Sequence, residues 1–392
     1  MSSTPDVAII GGGVVGTAAA AFLAGEGARV ILYEREAIAA GASGRNSGAV
    51  QHPFDPPLAG LYHGTVEIYR ALGAEIPEAG FRLADEPAGL LLVSRRPDVV
   101  ALLARQLQAA FPYLNATVVR GQDLLSLEPM LAPDLVACRV AAGFPIVPSA
   151  PTYALATLAE RRGATIRQGR AASPAVENGA CIGVRVGGRV EPAGAVIVAG
   201  GPWTPEIIDP SGRWRPIRPV WGVVAETTMA TPPRHILEEA EMDEALGADH
   251  LPPDAAGLAE DPAVTPSFSL MTAAGRSVAG STFLEEEPEL APWAERILRR
   301  GATFVPALLD APIREVRVCA RPVAADARPL IGPVPGIDGL FVCAGHGPWG
   351  ISTGPGSARL LARLVLGQKV EIPSEFDPRR FGPLPTGAGS PR

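Results

Sequence analysis

Three glycines, Gly11, Gly13 and Gly16, stand in the G-x-G-x-x-G spacing within VAIIGGGVVGTAAAAFL. That spacing suits a dinucleotide. The first glycine makes a tight turn, the second lets backbone approach a pyrophosphate, and the third lets a helix pack closely on a strand. Val14 and Val15 then open a helix whose unpaired N–H groups face the phosphates. Glu34, followed by Arg35, lies 18 residues after Gly16, where an acidic residue can meet an adenosine ribose. NAD and FAD share their adenosine diphosphate half, so the fingerprint alone leaves both open.

The elements around these residues are readable. Val7 to Ile10 and Arg29 to Tyr33 are apolar enough for buried strands flanking an alanine-rich helix. Ala195 to Gly201 and Gly339 to Gly345 repeat the pattern of a short apolar run ending in glycines, as in the centre of a parallel sheet. Helices are expected over Leu58 to Leu72, Pro97 to Ala110, Gly121 to Glu128, Pro148 to Arg162, and from about Gly350 to Leu366. Strands are expected at Ala88 to Val93, Thr165 to Arg167, Val220 to Thr228, Phe268 to Met271 and Ser277 to Thr282, with a hairpin over Cys181 to Val190 turning at Gly187-Gly188.

Composition bounds the function. The chain has 392 residues, 47% hydrophobic and 19% charged, which is a globular composition with room for two domains. Its net charge is −7 and gives no support to a nucleic-acid partner. Nine acidic residues between 238 and 261 have no Lys or Arg among them, and the Pro- and Ala-rich stretch 230–262 reads as a solvated surface excursion. No long apolar run suggests a membrane span, and a strand starting near Asp6 leaves no room for a signal peptide, so a cytoplasmic protein is expected. Four scattered cysteines, Cys138, Cys181, Cys319 and Cys343, form no metal-ligand spacing, and no metal is expected. Residues 377–392, rich in Pro and Gly, read as a poorly ordered tail.

Four pieces together resemble the D-amino acid oxidase/glycine oxidase/sarcosine oxidase (DAO) family: the fingerprint with Glu34, the loop GASGRNSG (41–48), VIVAGGPW (196–203), and CARPVAADARPLIG with GLFVCAGHGPWGISTGPGSARL behind it. The resemblance spans about residues 5 to 370. It implies FAD as the cofactor and a mixed α/β fold, with a Rossmann-like FAD-binding domain (1–80, 145–212 and 315–376) and a discontinuous antiparallel β-sheet substrate domain (81–144 and 213–314).

The resemblance also assigns residues. Ser43, Arg45, Asn46, Ser47 and Gly48 become candidates for phosphate or ring contacts, with Ala199, Gly200 and Trp203 beside them. Gly345, Gly347, Gly350, Ile351 and Ser352 would close over the flavin, where a helix N-terminus suits the negative charge of the reduced ring. His346 and Trp349 would flank it. Arg321 is the candidate clamp for a substrate carboxylate, its guanidinium offering a bidentate fork; a structural ion pair is the plainer reading. Phe268 takes the place of a tyrosine found in several glycine oxidase-like members. Cys319 falls where sarcosine-oxidase-like members attach FAD covalently, though most of the family binds it without a bond.

The implied activity is oxidation of an amino acid or secondary amino acid to an imine by hydride transfer to flavin N5. The alternatives are a 2-hydroxy acid dehydrogenase, which would need a base from His52, His63 or His346, and a non-catalytic flavin-binding subunit. The expected partners are a small amine substrate and an electron acceptor, oxygen or another.

Overall fold

The strand Val7–Ile10 is buried along its whole length at the centre of a six-stranded sheet. This is seen in a computed structural model, which describes residues 6–241 and 266–384. Across that sheet the order is Leu330–Pro333, Leu340–Ala344, Ala195–Val198, Val7–Ile10, Val30–Tyr33 and Thr165–Arg167. All neighbours are parallel except the edge strand Leu330–Pro333. A parallel sheet needs cover on both faces, which explains the continuous apolar runs at its centre.

The helix Val14–Gly25 packs between Ala150–Arg161 and Gly350–Val365. Ala18 to Ala21 are fully buried there, and only such small side chains let several helices converge on one strand. The helix Gly350–Val365 contains Pro355, which has no N–H for the carbonyl of Ile351. The hydroxyl of buried Tyr69, on the helix Pro56–Glu75, donates to that carbonyl at 2.8 Å. Thr65 on the same helix accepts from the Gly356 N–H at 3.0 Å.

A second sheet of eight strands runs Ile313–Ala324, Ile217–Thr227, Arg276–Gly280, Ser269–Ala273, Ile236–Glu239, Leu90–Ser94, Val136–Val140 and Thr117–Arg120. It is antiparallel except where Ile236–Glu239 meets Leu90–Ser94. Alternate residues face opposite sides. Leu237, Phe268, Leu270 and Ala279 pack under the helix Ala291–Ala302 with Trp293, Ile297 and Phe304. The other face carries Ile236, Glu238, Ser269 and Met271. Strand Ile313–Ala324 belongs to this sheet by its hydrogen bonds, so residue 315 falls inside a strand and the chain rejoins the first sheet at Leu330.

Three expectations change. The stretch from 230 is not a surface excursion at its start: Ile236–Glu239 is a sheet strand, and Glu238 is only 7% exposed. An apolar pair, Ile236 and Leu237, draws the following acids inward, and Glu239 pairs with Arg300. Most of the expected acidic excursion, from residue 242, lies outside the described residues. The segment 377–384 is packed rather than loose, because Arg380 bonds Asp326 at 2.6 Å and Phe381 and Leu384 lie against the core; residues from 385 lie outside the described ones. The small-residue loop 41–48 contains a helical turn, Ala42–Arg45. Among the described residues, no helix is long and apolar enough to cross a membrane, and no His/Cys/Asp/Glu group could hold a metal ion.

Candidate active site

Between the two sheets lies a cavity of about 920 Å³, lined from both ends of the chain. Its first end is the glycine turn. Gly11 sits at φ +116°, and a Cβ there would collide with the Ala199 carbonyl; one on Gly16 would collide with the Gly11 carbonyl. A Cβ on Gly13 would meet only the Ser43 hydroxyl and would otherwise enter the cavity. Val14 and Val15 also line it. The Ser43 hydroxyl accepts from the Val14 N–H at 3.0 Å, tying the 41–48 loop to the helix start.

Glu34 also faces the cavity. Its carboxylate accepts from the Gly12 N–H at 2.6 Å and the Glu36 N–H at 2.8 Å, so it braces the glycine turn as well. The Arg35 guanidinium lies 4.2 Å over the Trp203 ring, and both line the cavity near Ala199 and Gly200. Arg45, Asn46 and Ser47 line the middle. Asn46 holds its turn by accepting from the Gly48 N–H at 2.8 Å, and its carbonyl receives Arg317, whose buried pair with Glu226 measures 2.6 Å.

The second helix start is that of Gly350–Val365, which lies beside the first, with Gly354 against Val14 and Val15. Gly347, Trp349, Gly350, Ile351 and Ser352 line the cavity, and the first turn of this helix carries no acidic residue. The same holds for Val14–Gly25. Two helix N-termini therefore direct positive dipole ends into one space. His346 is buried; its Nε2 is 3.0 Å from the Ser357 hydroxyl, and burial lowers its pKa to about 4.

Arg321 lines the wall formed by the eight-stranded sheet. Its Nη1 donates to the Thr282 carbonyl at 2.8 Å, its Nη2 to the Ser281 hydroxyl at 3.0 Å, and it stacks 4.4 Å from the Phe283 ring. Its side chain crosses Gly222, where a Cβ would collide with the guanidinium. Arg321 makes no salt bridge with any described residue. Burial disfavours its charge. An anion placed against it offsets that cost.

Some expected residues fall elsewhere. Gly16, Gly48 and Gly345 shape the backbone behind the lining without facing the cavity. Phe268 is stacked on Phe304 at 4.5 Å, on the opposite face of the sheet; strand alternation gives the cavity position to Ser269. His52 and His63 also lie outside the lining, in an aromatic cluster with Tyr113. Gln51 and Glu238 line the cavity unforeseen, with the Gln51 amide donating to the Glu238 carboxylate at 2.7 Å. Glu238 was hidden within an acidic run, and the only sequence cue was the apolar pair before it.

The residues present fit FAD. A cradle that a Cβ on Gly13 would fill suits a pyrophosphate, and a second acid-free helix start beside it suits a ring that gains negative charge. Comparison with known proteins agrees. The DAO family, described as FAD dependent oxidoreductase, matches residues 6–364. Glycine oxidase of Pseudomonas aeruginosa is 26% identical over 406 residues, covering 96% of this chain and 98% of that protein. The uncharacterized oxidoreductase YurR of Bacillus subtilis is 28% identical over 270 residues, 67% of each. Among solved structures, glycine oxidase from Bacillus cereus superposes with a TM-score of 0.79 at 24% identity, covering 93% of this chain and 96% of that one. Iminodiacetate oxidase from Chelativorans gives 0.78 at 25% identity, with 95% and 98% covered. The chain belongs to the DAO family and is an FAD-dependent oxidoreductase.

Proposed function

We propose that this enzyme oxidises the carbon–nitrogen bond of an amino acid or N-alkyl amino acid to an imine. Arg321 carries the reading: it is a cavity-facing guanidinium that makes no salt bridge with a described residue and is held in place by Ser281, Thr282 and Phe283. Such a group binds a substrate carboxylate and thereby fixes the orientation of the adjacent Cα–H. FAD, when bound, supplies the acceptor for the hydride from Cα, while the amine loses a proton and water then hydrolyses the imine.

Oxidation of a 2-hydroxy acid is less well supported. It requires a base for the hydroxyl proton, and of the three histidines considered only His346 reaches the cavity, with its Nε2 at Ser357. Cys319 lines the cavity, yet burial raises its thiol pKa despite nearby Arg321, Arg45 and Arg317, which keeps it a thiol rather than a nucleophilic thiolate. We infer that FAD is held without a covalent bond, the alternative being a link through Cys319; acid precipitation should leave the yellow colour in solution, and a yellow pellet would contradict this.

The deciding experiment mixes the yellow protein anaerobically with D- and L-amino acids, N-methyl amino acids and 2-hydroxy acids. Bleaching by an amino compound, with ammonia or alkylamine released, is expected. Bleaching by hydroxy acids alone overturns the proposal.

A further inference from the structure

Gly222 stands inside the strand Ile217–Thr227, where it pairs with Cys319 while Val220 pairs with Arg321. Gly222 and Arg321 are therefore diagonal neighbours on one face of the sheet, within reach of a long side chain. A glycine in a strand interior weakens the strand and often marks a close approach. Here the backbone does not call for one, because Gly222 lies outside the left-handed region that glycine favours. What approaches is the guanidinium. A Cβ on Gly222 would stand 2.5 Å from Cζ and Nη2 of Arg321 and closer still to Nη1.

Carbon contacts ordinarily lie at about 3.5 Å, so an added methyl group displaces the guanidinium by about 1 Å. Its present bonds are 2.8 Å to the Thr282 carbonyl and 3.0 Å to the Ser281 hydroxyl, with the Phe283 ring 4.4 Å away. Stretching those bonds by about 1 Å takes both beyond hydrogen-bond range. The atoms that must give way are the tip of one flexible side chain and not backbone, so the fold itself tolerates the change. The loss falls on whatever the guanidinium binds.

We propose that Gly222 is a positioning residue of the substrate site: its missing side chain lets the Arg321 guanidinium lie where Ser281, Thr282 and Phe283 hold it ready for a carboxylate. This rests on the carboxylate-clamp reading of Arg321 and deepens it. Gly222 acts through Arg321 and not on the reacting atoms.

The test uses the flavin-loaded protein and two unreactive probes of equal size, acetate and acetamide, titrated by calorimetry and by flavin absorption. The wild type is expected to bind acetate more tightly. Gly222→Ala is expected to keep its flavin and to lose about 10- to 100-fold of that preference, as for a misplacement of this size in a group bonded to a charge. A variant that weakens both probes alike overturns the inference, because a general disturbance of the cavity would do the same. The double variant Gly222→Ala, Arg321→Ala is expected to match Arg321→Ala alone, since the methyl group then displaces nothing; a further loss of preference overturns the inference. If Gly222→Ala fails to hold flavin, its return in the double variant identifies the displaced guanidinium as the cause and supports the role, whereas failure of both variants overturns it. A wild type with no preference for acetate removes the clamp reading, and the inference with it. A wild type that prefers acetate beside a Gly222→Ala variant with the full preference removes only the role of Gly222.

Discussion

Arg321 is held by neutral groups alone among its hydrogen bonds, a carbonyl and a hydroxyl, so removing it deletes a charge without stranding a described salt-bridge partner. Arg321→Ala should therefore leave the flavin content unchanged and raise KM for the carboxylate substrate about 100-fold. Arg321→Lys should recover only part of this, because an ammonium cannot replace a planar fork that already uses two nitrogens on Thr282 and Ser281. Equal KM values in wild type and the alanine variant would remove the clamp.

The buried histidines give a second prediction at this scale. Burial lowers both His346 and His52 to about 4, with His63 adding to the effect at His52. His52 accepts from the Phe54 N–H at Nδ1, which leaves Nε2 as the donor to Tyr113. Between the unfolded value near 6.5 and about 4 the unfolded chain binds more protons than the folded one. Stability is thus fully present above 6.5 and is lost as pH falls towards 4, by at most about 3 kcal/mol for each histidine. The carboxylates with lowered values, such as Asp6, Asp209 and Asp326, contribute only at lower pH. Urea midpoints measured from pH 7.5 to 4.5 should show this decline, and His346→Gln should make it shallower, leaving the share of His52. A wild-type profile level through that window would contradict the assignment.

At the scale of elements, the glycine turn and the strands around it were the most legible in the sequence, because glycines obey local rules. Gly11 needs its positive φ, and Gly16 needs the close helix–strand approach, whatever the rest of the chain does. The eight-stranded sheet was legible strand by strand but not in its faces. Phe268 and Ser269 are adjacent in sequence, and only the pairing of Ser269 with both Glu238 and Gly280 decides which of them meets the cavity. Glu238 was missed for the same reason: register across non-consecutive strands is a long-range property. Pro355 shows a long-range dependence of another kind. Its helix starts well only because Tyr69, far away in sequence, takes up the Ile351 carbonyl. Tyr69→Phe should cost about 1–3 kcal/mol in chemical denaturation, the range for an unsatisfied buried acceptor, and should weaken FAD binding because the freed carbonyl is one residue from Ser352. Unchanged stability would mean that the helix start relaxes without the tyrosine.

Across the whole molecule, the cavity joins the first and last parts of the central sheet. Val7–Ile10 and Leu340–Ala344 are each paired with Ala195–Val198, and each is followed by a helix that points its N-terminus at the cavity. A ligand spanning that space bonds only when both segments are folded, so its binding energy becomes stability of the whole chain. The unfolding midpoint of the apoprotein should rise with added FAD, by about 2.7 kcal/mol of stability at a hundredfold excess over Kd. Gly13→Val should abolish the rise while leaving the apoprotein itself nearly as stable, because the added Cβ meets only the Ser43 hydroxyl. Gly16→Val differs: its side chain would collide with the Gly11 carbonyl and should destabilise the apoprotein before any FAD is added. If Gly13→Val retains the full FAD-dependent rise, the pyrophosphate does not lie against the first turn, and the placement of the cofactor along the cavity fails with it.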